Sequence, residues 1–206
     1  PRPDFIPIAG RFRGGSAFVQ AEDGWLVGFN QGEFGAALYW FSRDGKTNYW
    51  ISDHQVVGFV SRGDALYAIE GLAHLSLSRG SLIGIWRPDP VSRWQARVEA
   101  ELPFAPYAVS LLKDGTFLIA LSDSLIAVDT EHQIRTLLAN APWSGLYPNS
   151  SVLADDQSRL YIGMRQFVGE YDLRRGTLRL LVPSPKFLNV LPAEEIERVR
   201  IPFGQR

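Results

Sequence analysis

The chain has no cysteine among its 206 residues, and only three histidines and one methionine. Without thiols there is no disulfide framework, no thiolate zinc site, no iron–sulfur cluster and no cysteine nucleophile. The compartment stays open on that ground, because a cysteine-free chain is equally at home in reducing and oxidising surroundings. An excess of one charge is lacking as well: 21 basic residues are scattered among 22 acidic ones for a formal net charge of −1. Such a balance gathers no polyanion, so nucleic acid is not an expected partner. No apolar run reaches the roughly 20 residues of a membrane-spanning helix. Residues 1–10 show no charged segment followed by an apolar one, and a periplasmic or secreted location is the expectation if a signal peptide was removed ahead of residue 1. His54, His74 and His132 have no metal-ligand spacing, and no run of alternating acids suits calcium. Neither metal nor cofactor is expected.

What the chain does have is a repeat. In residues 108–138 an apolar stretch (108–112) meets the turn Lys113-Asp114-Gly115, a second stretch (116–121), a break at 122–124, a third (125–128), a polar turn and a fourth (133–138). The same order recurs at 151–154, 160–164, 167–171 and 177–182, and at 17–21, 25–29, 37–41 and 47–51. A copy between them reads as 56–60, 65–69, 74–77 and 81–86, with Ser78-Arg79-Gly80 as its last turn and an insertion around 87–97. First-turn positions Gly24, Gly63, Gly115 and Gln157 are spaced 39, 52 and 42 residues apart, which brackets the length of a four-stranded propeller blade.

The physical logic is that Asp-Gly and Arg-Gly turns supply the left-handed residue a tight hairpin needs, between runs rich in Val, Ile, Leu, Phe and Tyr. One such meander cannot bury both of its faces alone; radial stacking covers both and leaves only short edges. The expected fold is therefore all-β, a β-propeller of four-stranded antiparallel blades, with four clear and a fifth possible from residues 5–8 and 201–203, in a single domain over 1–206. A linear stack of sheets or a double sandwich is the structural alternative. Residues 192–200 suit one or two helical turns, with proline first and acids before bases.

Several segments carry a resemblance: Gly32-Glu33-Phe34-Gly35, the run 38–45 (Leu-Tyr-Trp-Phe-Ser-Arg-Asp-Gly), Gly71-Leu72-Ala73-His74, the stretch 141–150, and 160–165 (Leu-Tyr-Ile-Gly-Met-Arg). Together they resemble a family of uncharacterised bacterial β-propeller-like proteins over most of residues 24–182. The resemblance implies the fold and brings no activity with it.

Propellers gather their long connections at the mouth of a central channel, so polar and aromatic residues there are the ligand-binding candidates. They are Asn30, Glu33, His74, Arg79, Trp143, Tyr147, Asn149 and Arg165. Glu33 among glycines is either a ligand acceptor or a solvated turn acid. His74 is either a base near the axis or a satisfied rim histidine. Arg165 at a strand end suits a carboxylate clamp or a surface ion pair. Pro148 and Asn149 form either a shaped binding loop or plain turn chemistry. No Gly-x-Ser-x-Gly elbow is present, and Asp155-Asp156 and Glu194-Glu195 are adjacent pairs in exposed segments, so no catalytic residue is assigned.

Two functions follow. The first is a non-catalytic binding protein whose loop face holds a protein partner or a small ligand, in the manner of an inhibitor or immunity protein, since interfaces favour Trp, Tyr and Arg. The second is a small-molecule hydrolase, lyase or cyclase with Glu33 or His74 as general base and Arg165 or Asn149 orienting substrate. Convergence of those four side chains discriminates between them.

Overall fold

The computed structural model describes residues 15–182. They form four antiparallel four-stranded sheets, each a meander of consecutive strands. Blade 1 holds β1 (Gly15–Gln20), β2 (Gly24–Asn30), β3 (Ala36–Ser42) and β4 (Asn48–Ser52); blade 2 holds β5 (Val56–Arg62), β6 (Ala65–His74), β7 (Leu77–Trp86) and β8 (Gln95–Leu102). Blade 3 is β9 (Pro106–Leu111), β10 (Phe117–Leu121), β11 (Leu125–Val128) and β12 (Ile134–Leu138); blade 4 is β13 (Ser150–Leu153), β14 (Arg159–Gly163), β15 (Val168–Asp172) and β16 (Thr177–Leu181). First strands adjoin in the order β1, β5, β9, β13, so the blades stand side by side around an axis. This is the β-propeller arrangement. The suggested fifth blade and the helical turns at 192–200 lie outside the described residues.

Burial explains why the strands read as unbroken apolar runs rather than alternating ones. In β10 all five residues are buried and in β11 all four are, because the sheet is covered on both faces. Phe117, Ile119 and Leu121 point to blade 2, against Ile69, Leu82 and Leu102. Leu118 and Ala120 point the other way, against Leu160 and Ile162 of blade 4. Blade 1 meets blade 2 through Leu26 and Leu38 packed with Val56, Ile83 and Ile85, and collects Trp25, Val27, Phe29, Tyr39 and Phe41 on its opposite face. Blade 4 ends the series differently. Its face away from blade 3 carries the Arg159–Glu170–Arg179 ion pairs.

Polar pins cross the seams. Arg62 of β5 donates to Tyr67 Oη and to the carbonyls of Gly115 and Asp129, with its guanidinium over the Tyr67 and Phe117 rings. Because a guanidinium only donates, the His132 Nε2 beside it at 3.2 Å accepts. Ser78 and Ser122, and Ser110 and Ser151, share hydroxyl hydrogen bonds of 2.8 Å between neighbouring blades.

Blade 2 departs from the sequence expectation. Its second strand runs on to His74, the turn is Leu75-Ser76, and Ser78-Arg79-Gly80 lie inside β7 rather than forming a turn. The stretch expected as the fourth strand, 81–86, belongs to the third strand β7, and the fourth is β8, which begins at the end of the expected insertion and runs past it to Leu102. Gly71 and Gly80 pair across this hairpin because Pro106 packs where their Cβ atoms would stand. The glycines serve close approach, and the turn is carried by Leu75 at φ 52°.

Near the first turns, Trp94 and Trp40 donate their indole N–H groups to Asp23, and Arg87 pairs with it at 2.8 Å. Burial alone would raise the Asp23 carboxyl; the two indole hydrogen bonds and the Arg87 charge outweigh it and hold the group below its ordinary value.

Two predictions follow from these contacts. Gly28→Ala would put a Cβ 2.5 Å from the Val56 Cβ, backbone-anchored on both sides of the first seam, whereas Gly58→Ala meets nothing nearer than 3.9 Å. Urea unfolding is expected to show a loss of about 1–3 kcal/mol for Gly28→Ala and a much smaller change for Gly58→Ala. A carboxyl depressed on folding contributes stability above its unfolded pKa, lost as pH falls through the folded one. Melting temperature measured from pH 6 downwards is therefore expected to fall below about pH 4, and less steeply in Asp23→Asn than in the parent.

Candidate functional site

The meander fixes which connections share an end. Within each blade the first and third turns lie at one end; the second turn, and the linker to the next blade, lie at the other, the loop end. All eight sequence candidates sit at the loop end. Asn30 closes β2, Glu33 lies in the 3-10 turn Gly32–Phe34, His74 closes β6 and Arg79 is near the start of β7. Trp143, Tyr147 and Asn149 belong to the linker between β12 and β13, and Arg165 to the β14–β15 loop.

They fall into two groups. In the first, His74 Nε2 lies 2.8 Å from Glu33 Oε2, with both side chains 44% exposed. A carboxylate only accepts, so Nε2 carries the proton. The turn that presents Glu33 is built by its neighbours: Asn30 Oδ1 accepts from the Gly32 amide at 2.8 Å, and Gly32 and Gly35 take φ of 63° and 117°, values that glycine adopts freely. Below it Gln55, in the linker between blades 1 and 2, donates its side-chain amide to the Gly32 carbonyl and accepts from Arg79 Nη2 at 2.8 Å. Buried Glu70 then accepts from the Gln55 backbone N–H at 3.2 Å and from Ser81 Oγ at 2.5 Å.

Gln55, Glu70 and Ser81 were not singled out from sequence. Glu70 carries a readable signal, a lone acid in an otherwise apolar strand. Gln55 does not: its role depends on a contact with a turn 23 residues away.

In the second group the Arg165 guanidinium lies 4.3 Å from the Tyr147 ring centroid, and the Arg165 amide donates to the Leu146 carbonyl at 3.0 Å. Tyr147 itself is half-exposed, with φ at 51°. Asn149 is exposed and its backbone N–H bonds the Gly163 carbonyl. Trp143 is 1% exposed, its indole donating to the Leu121 carbonyl at 2.8 Å; it anchors the linker from within the core and offers no outer surface. Tyr107, at the start of β9, joins this group unanticipated. Burial first, and the neighbouring Tyr147 phenol second, push its ionisation up. Glu33 and His74 thus converge, while Arg165 and Asn149 keep other company. Among the described residues no cluster of His, Asp and Glu is arranged to hold a metal ion.

Radially arranged meander blades with their longer connections gathered at one end define the class: a β-propeller. No protein-family model and no curated protein sequence matches the chain. Among solved structures it is similar to virginiamycin B lyase from Staphylococcus aureus, at 17% identity over 84% of this chain and 57% of that one, TM-score 0.56. It is also similar to a chain of the nidogen/laminin complex (11% identity, 82% and 63% of the two chains, TM-score 0.53) and to a gluconolactonase from Xanthomonas campestris (15%, 80% and 56%, TM-score 0.50). All are propeller likenesses at low identity. The chain spans little more than half the length of the two enzymes.

Glu70 is structural support and Glu33 is rim. Glu70→Ala strands two buried donors and is expected to cost about 1.5–3 kcal/mol, whereas Glu33→Ala removes a half-exposed pair and is expected to cost less than about 1 kcal/mol. Chemical denaturation of both variants checks the division.

Proposed function

We propose that the chain is a non-catalytic binding protein whose loop end docks a protein partner. The observation that carries this reading is the apolar surface around the Glu33–His74 pair. Phe34, next to Glu33, is 81% exposed; Leu75 and Leu77, on either side of the hairpin tip beyond His74, are 94% and 48% exposed. Three large apolar side chains around one carboxylate–imidazole hydrogen bond match the composition of a docking patch, and an exposed patch of this kind signals interaction. Propellers similar in fold include a chain solved in a protein complex.

A second reading draws on the same carboxylate–imidazole contact, a pair suited to moving a proton, and on the lyase and the gluconolactonase among the similar structures. It is the weaker one, because Arg165 and Asn149, needed to orient a substrate, are engaged in the blade 4 loop and its linker instead of meeting Glu33 and His74.

The test is to identify a partner by affinity capture and then titrate it by calorimetry against Phe34→Asp, Leu75→Asp and, as a surface control, Val91→Asp, where the parent residue is 96% exposed. Binding is expected to weaken more than about tenfold in the first two and to be unchanged in the third. Equal binding by all three, or no protein retained more strongly by the parent than by Leu75→Asp, would overturn the reading. Turnover of a streptogramin B antibiotic or of gluconolactone that disappears in Glu33→Gln would replace it with the enzymatic one.

A further inference from the structure

The turn end, opposite the loop end, holds a cleft of about 640 Å³, a size within the range of small-ligand sites. It runs over blade 2 from the β1–β2 and β5–β6 turns to the β7–β8 connection and the first half of β8. Two half-buried indoles, Trp86 and Trp94, give it an apolar wall. The connection between them is held from several sides. Arg87, its side chain 8% exposed, reaches Glu22 and Asp23 and donates to the Pro90 carbonyl at 2.9 Å, with its guanidinium 4.9 Å from the Trp94 ring centroid. Asp89 accepts from the Val91 and Ser92 amides, and the Trp94 amide donates to the Tyr49 hydroxyl at 2.8 Å. On the facing strand Glu99, 17% exposed, accepts from Arg97 Nε at 2.8 Å and fills the space that a Cβ at Gly84 would take. Walls fixed before binding spare a ligand the cost of ordering them.

The charges around the cleft narrow what it can take. Glu22, Asp64, Asp89 and Glu99 stand against Arg87 and Arg97, four acids to two bases, so an anionic ligand is opposed. A cation is opposed at closer range, because each indole already carries a guanidinium: Arg87 on Trp94, and Arg97 on Trp86 at 4.8 Å. The groups left over are of both hydrogen-bonding kinds. The exposed Asp64 carboxylate has no donor among the described residues and only accepts; the Trp86 indole N–H and the Arg97 Nη groups have no acceptor among them and only donate.

We propose that this cleft binds an uncharged oligosaccharide. A sugar hydroxyl both donates and accepts, which suits a carboxylate set near a guanidinium and an indole N–H, and the C–H faces of sugar rings suit an indole wall. The cleft and the Phe34–Leu75 patch lie at opposite ends of the blades, so the saccharide site does not depend on the docking of a protein at the loop end.

The experiment is an NMR titration of the folded chain with three neutral trisaccharides, maltotriose, cellotriose and chitotriose, beside trigalacturonate as an anion of the same size and tetramethylammonium chloride as a cation. The readout is the indole N–H signals, with that of Trp86 assigned from its loss in Trp86→Phe. At least one neutral trisaccharide is expected to shift the Trp86 signal along a saturating curve below about 10 mM, while the signal of Trp143, buried in the core, stays in place. Asp64→Ala, at an exposed turn, is expected to weaken that sugar about tenfold by removing a charged acceptor, and Trp86→Ala to weaken it more than about tenfold. Melting curves establish that each variant is folded, and Asp64→Ala alone suffices for the test if Trp86→Ala is not. No saturation by any of the three sugars overturns the site. So does sugar binding that survives Asp64→Ala undiminished, or binding of trigalacturonate or tetramethylammonium as tight as that of the best neutral sugar.

Discussion

Everything in this molecule depends on sheets covering one another face to face. A four-stranded meander with apolar residues on both sides cannot bury both of them alone, and here neighbouring blades cover one another across each of the three described seams. Blade 3 shows the constraint at full strength: within single strands, successive residues divide their side chains between blade 2 and blade 4. Because the seams are close-packed, residues at them have little room to vary. Gly28 stands against Val56, and Gly71 and Gly80 against Pro106. The blades tolerate variety in their connections, and the chemistry collects there.

Blades 1, 3 and 4 were legible in the sequence because their turns use Asp and Gly beside strongly apolar runs, and Gly45, Gly115 and Gly176 do take positive φ, at 71°, 90° and 68°. Blade 2 misleads for two physical reasons. The turn Leu75-Ser76 has no residue that announces a turn, and Gly80 announces one where the chain is extended. The strand β8 is similarly hidden, since Gln95–Leu102 carries three charges and only one buried residue, as the outermost strand of its blade. Single-sequence patterns detect what local turn chemistry and burial impose; they do not detect a glycine kept for a proline more than 20 residues away.

The candidate site was legible as an end of the molecule and not as a set of contacts. Every residue chosen for lying in a long connection is at the loop end, because alternation of turns in a meander dictates it. The pairing of Glu33 with His74, the support from Gln55 and Glu70, and the stacking of Arg165 on Tyr147 arise only when blades and linkers are laid side by side. Trp143 illustrates the opposite outcome. An aromatic residue in a loop is as often the anchor that gives the loop its shape as the surface that the loop displays.

The hairpin β6–β7 has ten residues in each strand, the longest of the described molecule, and its nine-pair ladder runs without a break to the tip. A finger braced in this way has little slack to bend its end back and shelter Leu75 and Leu77. In the free protein these side chains stay in water. At high protein concentration such an apolar tip is a surface on which two copies can meet, so the feature that gives the molecule a ready contact also favours self-association.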